Sequence, residues 1–277
     1  MPNKVVALAL STHPGPAIAV TVISILLGAS AGLDPARLAL LGAAVLANQA
    51  SVGLSNDWID AERDRAVGRT DKPVARGWIA VSTARAAAWI TAVLAIALTV
   101  PLGLAATIAH AVFIASAWAY NAGLKRTALS VVPYIVSFGI LPSVVTLSLP
   151  DPAFSAAWAA GAGATLGIAA HFANVLPDLD DDRRTGVRGL PHRLGRAAGG
   201  VITYGVLVIG TALVVFGPSG SPSVAGWIGL AIGIAIAVVG ITLVLTRPPT
   251  RLLFQLIIAA ATVDVALLAL AGEQLRA

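Results

Sequence analysis

Apolar residues run along this chain in blocks of 17 to 23, separated by short stretches of Gly, Pro and charge. Blocks of that length do not alternate as half-buried strands do, and each matches the roughly 20 residues an α-helix needs to cross hydrocarbon. Nine such runs can be read, over 16–33, 38–56, 81–100, 102–120, 131–149, 156–175, 199–216, 224–246 and 252–271. Only Pro101 divides the third from the fourth, which predicts a tight hairpin on one membrane face. The expected fold class is all-α: a polytopic membrane bundle of nine helices forming one integral-membrane domain over 1–277.

Composition agrees with this pattern. Of 277 residues 57% are hydrophobic and 11% charged, with mean hydropathy +0.87, so a water-soluble fold is excluded. A net charge of +5 would suggest nucleic acid in a soluble protein. Here 16 of the 18 Lys and Arg fall on alternate connections and act as topology markers, and no nucleic-acid partner is expected. The positive-inside rule puts the N-terminus and the basic connections in the cytoplasm and the C-terminus outside. Residues 1–31 imitate the three regions of a signal peptide, but they are read as the first helix of the bundle. There is no cysteine, so a metal would have to sit on oxygen or imidazole ligands.

One pattern occurs twice. Asn56, Asp60, Asp64, Arg65, Gly68 and Pro73 return as Asn174, Asp178, Asp182, Arg183, Gly186 and Pro191, each at an offset of 118. The copies close the second and sixth runs, which implies two pseudo-symmetric four-helix units plus one further helix, with a site at the repeat interface. On a helix, Asn56, Asp60 and Asp64 stack on one face about 6 Å apart, and Asn174, Asp178 and Asp182 repeat the ladder. Converging carboxylates need cations, and oxygen-only ligands select Mg²⁺, which favours sharing its shell with a phosphate. A solvated acidic connection would explain neither the duplicated spacing nor the Asn that heads each ladder.

Basic residues gather at the same end. Lys72, Arg69 and Arg188 lie on those connections, and Tyr120 with Lys125 offers a hydroxyl and an ammonium at a helix end. Each basic residue alone can be a topology determinant; together with Mg²⁺ they suit a diphosphate carried on a lipid tail.

These residues resemble the UbiA superfamily of intramembrane prenyltransferases. The first family motif, NDxxDxxxD, stands complete from Asn56 to Asp64; the second, DxxxD with a basic, glycine-containing stretch, spans Asp178 to Arg188; and Tyr-x-x-x-Leu-Lys matches Tyr120 to Lys125. The resemblance implies a nine-helix bundle around a cavity open sideways to lipid, with Mg²⁺ gripping a prenyl diphosphate whose isoprenyl group passes to a lipophilic, often aromatic or quinone-precursor acceptor. Asn121 stands where many members have Ser or Thr, and His13-Pro14 where an Arg-Pro is frequent.

Other polar residues admit two readings. His171 falls on the face of Asp178, two turns deeper, as a base or cation-steering group, or else as a bundle histidine with a hydrogen bond. Asn48 and Gln49, two turns before the first motif, could meet the acceptor. His110 and Asp264 inside apolar runs are read as structural. Two rival functions remain open: a terpene cyclase using the same diphosphate site without acceptor, and a cation or proton transporter. The first expects more aromatic residues than the chain's 5%; the second expects carboxylates near mid-membrane, away from Arg and Lys.

Overall fold

The computed structural model describes residues 3–176, 179, 186–247 and 251–277. Its helices are α1 (Lys4–Leu10), α2 (Pro14–Ser30), α3 (Pro35–Ile59), α4 (Ala61–Ala66), α5 (Val81–Thr99), α6 (Leu104–Ala122), α7 (Val132–Thr146), α8 (Ala157–Val175), α9 (Leu190–Phe216), α10 (Val224–Thr246) and α11 (Arg251–Leu270). Each of the nine apolar runs coincides with one of them, and no strand is present among the described residues.

Among the described residues six helices, α3, α5, α6, α9, α10 and α11, are long and apolar enough to cross a membrane. The pair α1 and α2, bent by 61°, makes a possible seventh. This is fewer than the nine expected: α7 has only 15 residues, and Gly, His and Asn lower the hydropathy of α8. Two short helices, α1 and α4, lie outside the predicted runs.

Local signals fix the helix ends. Asp34 caps α3 by accepting from the N–H groups of Ala36 (3.0 Å) and Arg37 (3.1 Å), with Pro35 opening the first turn. Ser223 caps α10 through Gly226 N–H at 3.0 Å. Between α5 and α6 the chain turns through the 3₁₀ segment Val100–Leu102, where the Pro101 break was expected.

In lipid there is little hydrophobic gain from helix association, so close approach and polar contacts hold the bundle. Gly163 and Gly167 bring α8 onto the backbone of α7, where an added Cβ would overlap the carbonyls of Phe138 and Tyr134. Tyr204 of α9 donates to Leu253 O of α11 at 2.8 Å. Thr211 and Asp264 meet at 2.5 Å between the same two helices. Asn48 Nδ2 lies 3.0 Å from His110 Nε2, and His110 Nδ1 lies 2.7 Å from Thr99 Oγ1, so one buried chain of contacts ties α3, α6 and α5 together. His110 and Asp264 therefore have the structural places expected of them.

Gly68 and Gly186, equivalent in the two copies, have φ of 70° and 78°, a left-handed conformation that L side chains rarely adopt.

Candidate active site

A cavity of about 610 Å³ opens among α2, α3, α6, α7, α8 and α11. Its body is apolar, with Val20, Leu27, Phe113, Leu166 and Leu268 on the wall, and its polar end carries His13, Asn56, Asp60, Lys72, Asn121 and Lys125. Pro16 and Ala19 of α2 and Phe254 and Ile258 of α11 line it and are exposed.

At the polar end α3 stops at Ile59 and α4 begins at Ala61. The junction, Asp60, has φ −88° and ψ 0°, so the expected ladder is a bent one: Asn56 still donates to Asp60 Oδ2 at 3.2 Å, and the Asp64 N–H still reaches Asp60 O at 2.8 Å. Asp60 is 1% exposed. Its Oδ2 accepts from Lys125 Nζ in a close ion pair and from Arg63 at 3.2 Å, whereas Oδ1 is buried without a hydrogen bond. Arg63 also pairs with buried Asp64 at 3.3 Å; Asp64 itself is not on the cavity wall.

Lys72 is bound from several sides. It donates to Asn56 Oδ1 at 2.8 Å and Asp57 Oδ1 at 2.7 Å, with His13 Nε2 2.9 Å away. The close approach follows from Gly53, where a Cβ would overlap the Thr12 carbonyl; the turn carrying His13 thus lies directly on α3. His13 has φ 54°, an uncommon conformation for a residue with a side chain. Asn121 bridges α6 to α3, donating to Val52 O at 2.9 Å and Ser55 Oγ at 2.8 Å and accepting from Asn56 at 3.3 Å. The amide at this position therefore orients the first motif.

Burial alters the charges here. It holds the Lys125 ammonium below the usual lysine range, against the opposing pull of Asp60. Burial raises the Asp64 carboxyl despite Lys72 and Arg63. The exposed Asp71, gripped by Arg69 through two hydrogen bonds of 2.8 Å, is lowered to about 2.

The structure thus gathers Asn56, Asp60, Lys125, Tyr120, Lys72 and Arg69 at one cavity, and Asn174 joins them from α8. His171 lines the same cavity deeper in. Asp178 and Asp182 lie outside the described residues. Arg188 is exposed and off the cavity wall. Asn48 is also off the wall, engaged with His110, whereas its neighbour Gln49 is on it. Sequence reading gave Asp57 no role beyond its place in the NDxxDxxxD motif and did not single out Tyr134. Asp57 follows Asn56 by one position, about 100° around the helix, and so turns to Lys72 and His13.

A family profile described as the UbiA prenyltransferase family matches residues 17–262. The chain belongs to that family. As a UbiA prenyltransferase it is an enzyme of multi-pass membrane architecture, in keeping with its apolar helices. No curated protein matches it. Among solved structures it is similar to a UbiA homologue from Archaeoglobus fulgidus bound to GPP and Mg²⁺, at 13% identity and TM-score 0.72, covering 95% of this chain and 99% of that one. It is also similar to digeranylgeranylglyceryl phosphate synthase (16% identity, TM-score 0.69, 98% and 99% covered). A third is an apo UbiA homologue from Aeropyrum pernix K1 (18%, TM-score 0.64, 96% and 98% covered). At these identities the likeness is one of fold.

Proposed function

We propose that this UbiA enzyme transfers an isoprenyl group from a prenyl diphosphate, bound with Mg²⁺ at the polar end of the cavity, to a lipophilic acceptor of aromatic or quinone-precursor type. The carrying observation is the continuity of the cavity. Buried Asp60, with one oxygen unpartnered, and Lys125 stand at one end of a space whose remainder is mostly apolar, which suits a diphosphate on a hydrocarbon tail.

The donor set fits Mg²⁺: Asn56, Asp60 and Asp64 offer amide and carboxylate oxygen, and Asn174, Asp178 and Asp182 complete the set from the second copy. Among the described residues alone, no three carboxylate or imidazole groups converge as a metal site. The metal would neutralise the diphosphate and ease its departure. Lys125, Lys72, Arg69 and Tyr120 bind and orient the diphosphate, the cations by charge-assisted contacts; Arg188 is a diphosphate ligand only if its exposed loop turns inward. In this reading nine helices cross the bilayer in full or in part, the N-terminus and the basic connections face the cytoplasm, and the C-terminus lies outside. Substrates enter from lipid.

A cyclase draws some support from the wall itself. Phe113, Tyr120, Tyr134 and Phe138 all border the cavity and offer aromatic faces to a cation formed there. The test is incubation of purified protein with labelled geranyl diphosphate and Mg²⁺, with and without membrane extract. Transfer predicts slow diphosphate release alone, accelerated release with extract, and a prenylated product. Rapid formation of a cyclic hydrocarbon or alcohol without extract would establish the cyclase.

A further inference from the structure

One residue of the cavity wall, His171, has a ring nitrogen that no part of the protein satisfies. His171 is 0% exposed and lines the cavity, and its Nδ1 has no hydrogen-bond partner. The other ring nitrogen, Nε2, lies 3.0 Å from Ser130 Oγ. Ser130 Oγ also accepts the N–H of Leu190 at 2.8 Å.

Proton counting fixes the tautomer. A serine hydroxyl has one proton to give, and buried hydroxyls find acceptors. Leu190 can only donate to Ser130, so with the Ser130 proton on His171 Nε2 only Nδ1 is left unmatched by the protein; were Nε2 the donor, both the Ser130 O–H and Nδ1 would be. A neutral imidazole that accepts at Nε2 carries its proton on Nδ1. The unsatisfied atom is therefore an N–H donor and not a base.

Its surroundings say what it meets. The ring centroids of Tyr134 and Tyr120 lie 4.9 and 5.8 Å from that of His171, and Tyr120 precedes Lys125 by five residues. The donor is thus close to the end of the cavity where the prenyl carbon bonded to diphosphate would lie. A prenyl chain offers no acceptor for it, and an unmade buried hydrogen bond is costly.

We propose that His171 is a specificity-determining residue for the acceptor substrate: its Nδ1–H donates to an oxygen on the acceptor, adjacent to the atom that takes the prenyl group. Ser130 is a positioning residue, holding the tautomer. The inference rests on the transferase reading and narrows its acceptor to an oxygenated one, a phenol, quinol, carbonyl compound or alcohol.

The test uses full-length protein in nanodiscs with Mg²⁺ and geranyl thiolodiphosphate, a non-transferring analogue, titrated with 1-naphthol or naphthalene at matched membrane-phase concentration. Wild type is expected to favour 1-naphthol by roughly five- to tenfold, one neutral hydrogen bond. His171→Leu should erase the preference, His171→Asn, whose amide N–H falls near the Nδ1 position, should restore it, and Ser130→Ala should reduce it. A preference that survives in His171→Leu overturns the proposal. If that variant does not fold, ¹⁵N spectra of the wild-type histidines decide instead. Protonated Nδ1 with a resonance moved by 1-naphthol and not by naphthalene supports the proposal; the opposite tautomer or no response overturns it. Mg²⁺-dependent binding of the analogue is read in the same samples. Its absence sinks the transferase reading, whereas its presence with no role for His171 sinks only this inference.

Discussion

The Lys125 ammonium and the Asp60 carboxylate, 65 residues apart in sequence, form a buried ion pair at the polar end of the cavity. Removing Asp60 leaves Lys125 buried without its carboxylate, a loss of about 3 to 5 kcal/mol, whereas removing Lys125 leaves Asp60 still paired with Arg63. Asp60→Ala is therefore expected to lower both stability and turnover, whereas Asp60→Ala combined with Lys125→Met should recover stability but not turnover. Chemical denaturation and product formation measured on the same preparations check this; additive stability losses would show that the pair is not coupled.

Lys125→Ala should weaken prenyl diphosphate binding by about 1.5 to 3 kcal/mol, the range of a hydrogen bond to a charged group. Calorimetric titration with geranyl diphosphate reads it. A loss confined to acceptor affinity would reassign Lys125 to the acceptor.

Activity should disappear when a chelator removes divalent cations and return with added Mg²⁺, because the carboxylates around Asp60 cannot hold a diphosphate unaided. Full turnover in excess EDTA would end the metal-dependent mechanism.

Asp64 gives a pH signature. Burial raises its carboxyl in the folded state, so the folded protein holds a proton there that the unfolded chain has lost between the ordinary value of 3.8 and the raised one. Above the raised value the ionised carboxylate costs stability; as pH falls through it the cost vanishes. Without metal, Asp64→Asn should therefore melt above wild type near neutrality, and the two should converge in mild acid. A constant difference across that window would contradict the assignment.

Asn48→Leu should behave as a bundle variant. It strips His110 Nε2 of its contact and is expected to cost about 1 kcal/mol, in line with polar contacts between membrane helices, while the KM for acceptor stays unchanged. A raised acceptor KM with unaltered stability would return Asn48 to the substrate pocket.

Much of the site was legible because its spacing is helical and duplicated. Asn56, Asp60 and Asn174 could be placed together from a fixed offset, and the cavity wall carries all three. The helix positions followed from apolar length alone. What sequence hid was three-dimensional: the break at Asp60, the turn of Asp57 toward Lys72, and the diversion of Asn48 to His110 each depend on a partner 15 or more residues away, or on backbone geometry that periodicity does not encode. Tyr134 gave no signal, since a tyrosine near the start of an apolar run reads as an interfacial anchor.

In the proposed reaction, entry of substrate from lipid past Pro16, Ala19, Phe254 and Ile258, the exposed residues of α2 and α11 on the cavity wall, would decide which concentration the enzyme senses. A substrate arriving through that wall comes from a two-dimensional solution, so saturation should follow its mole fraction among lipids and not its amount per litre. Diluting the protein and its substrate into more bilayer, at constant bulk volume, would then slow the reaction as surely as withholding substrate. Rates compared between detergent micelles and vesicles become commensurable only on that surface scale.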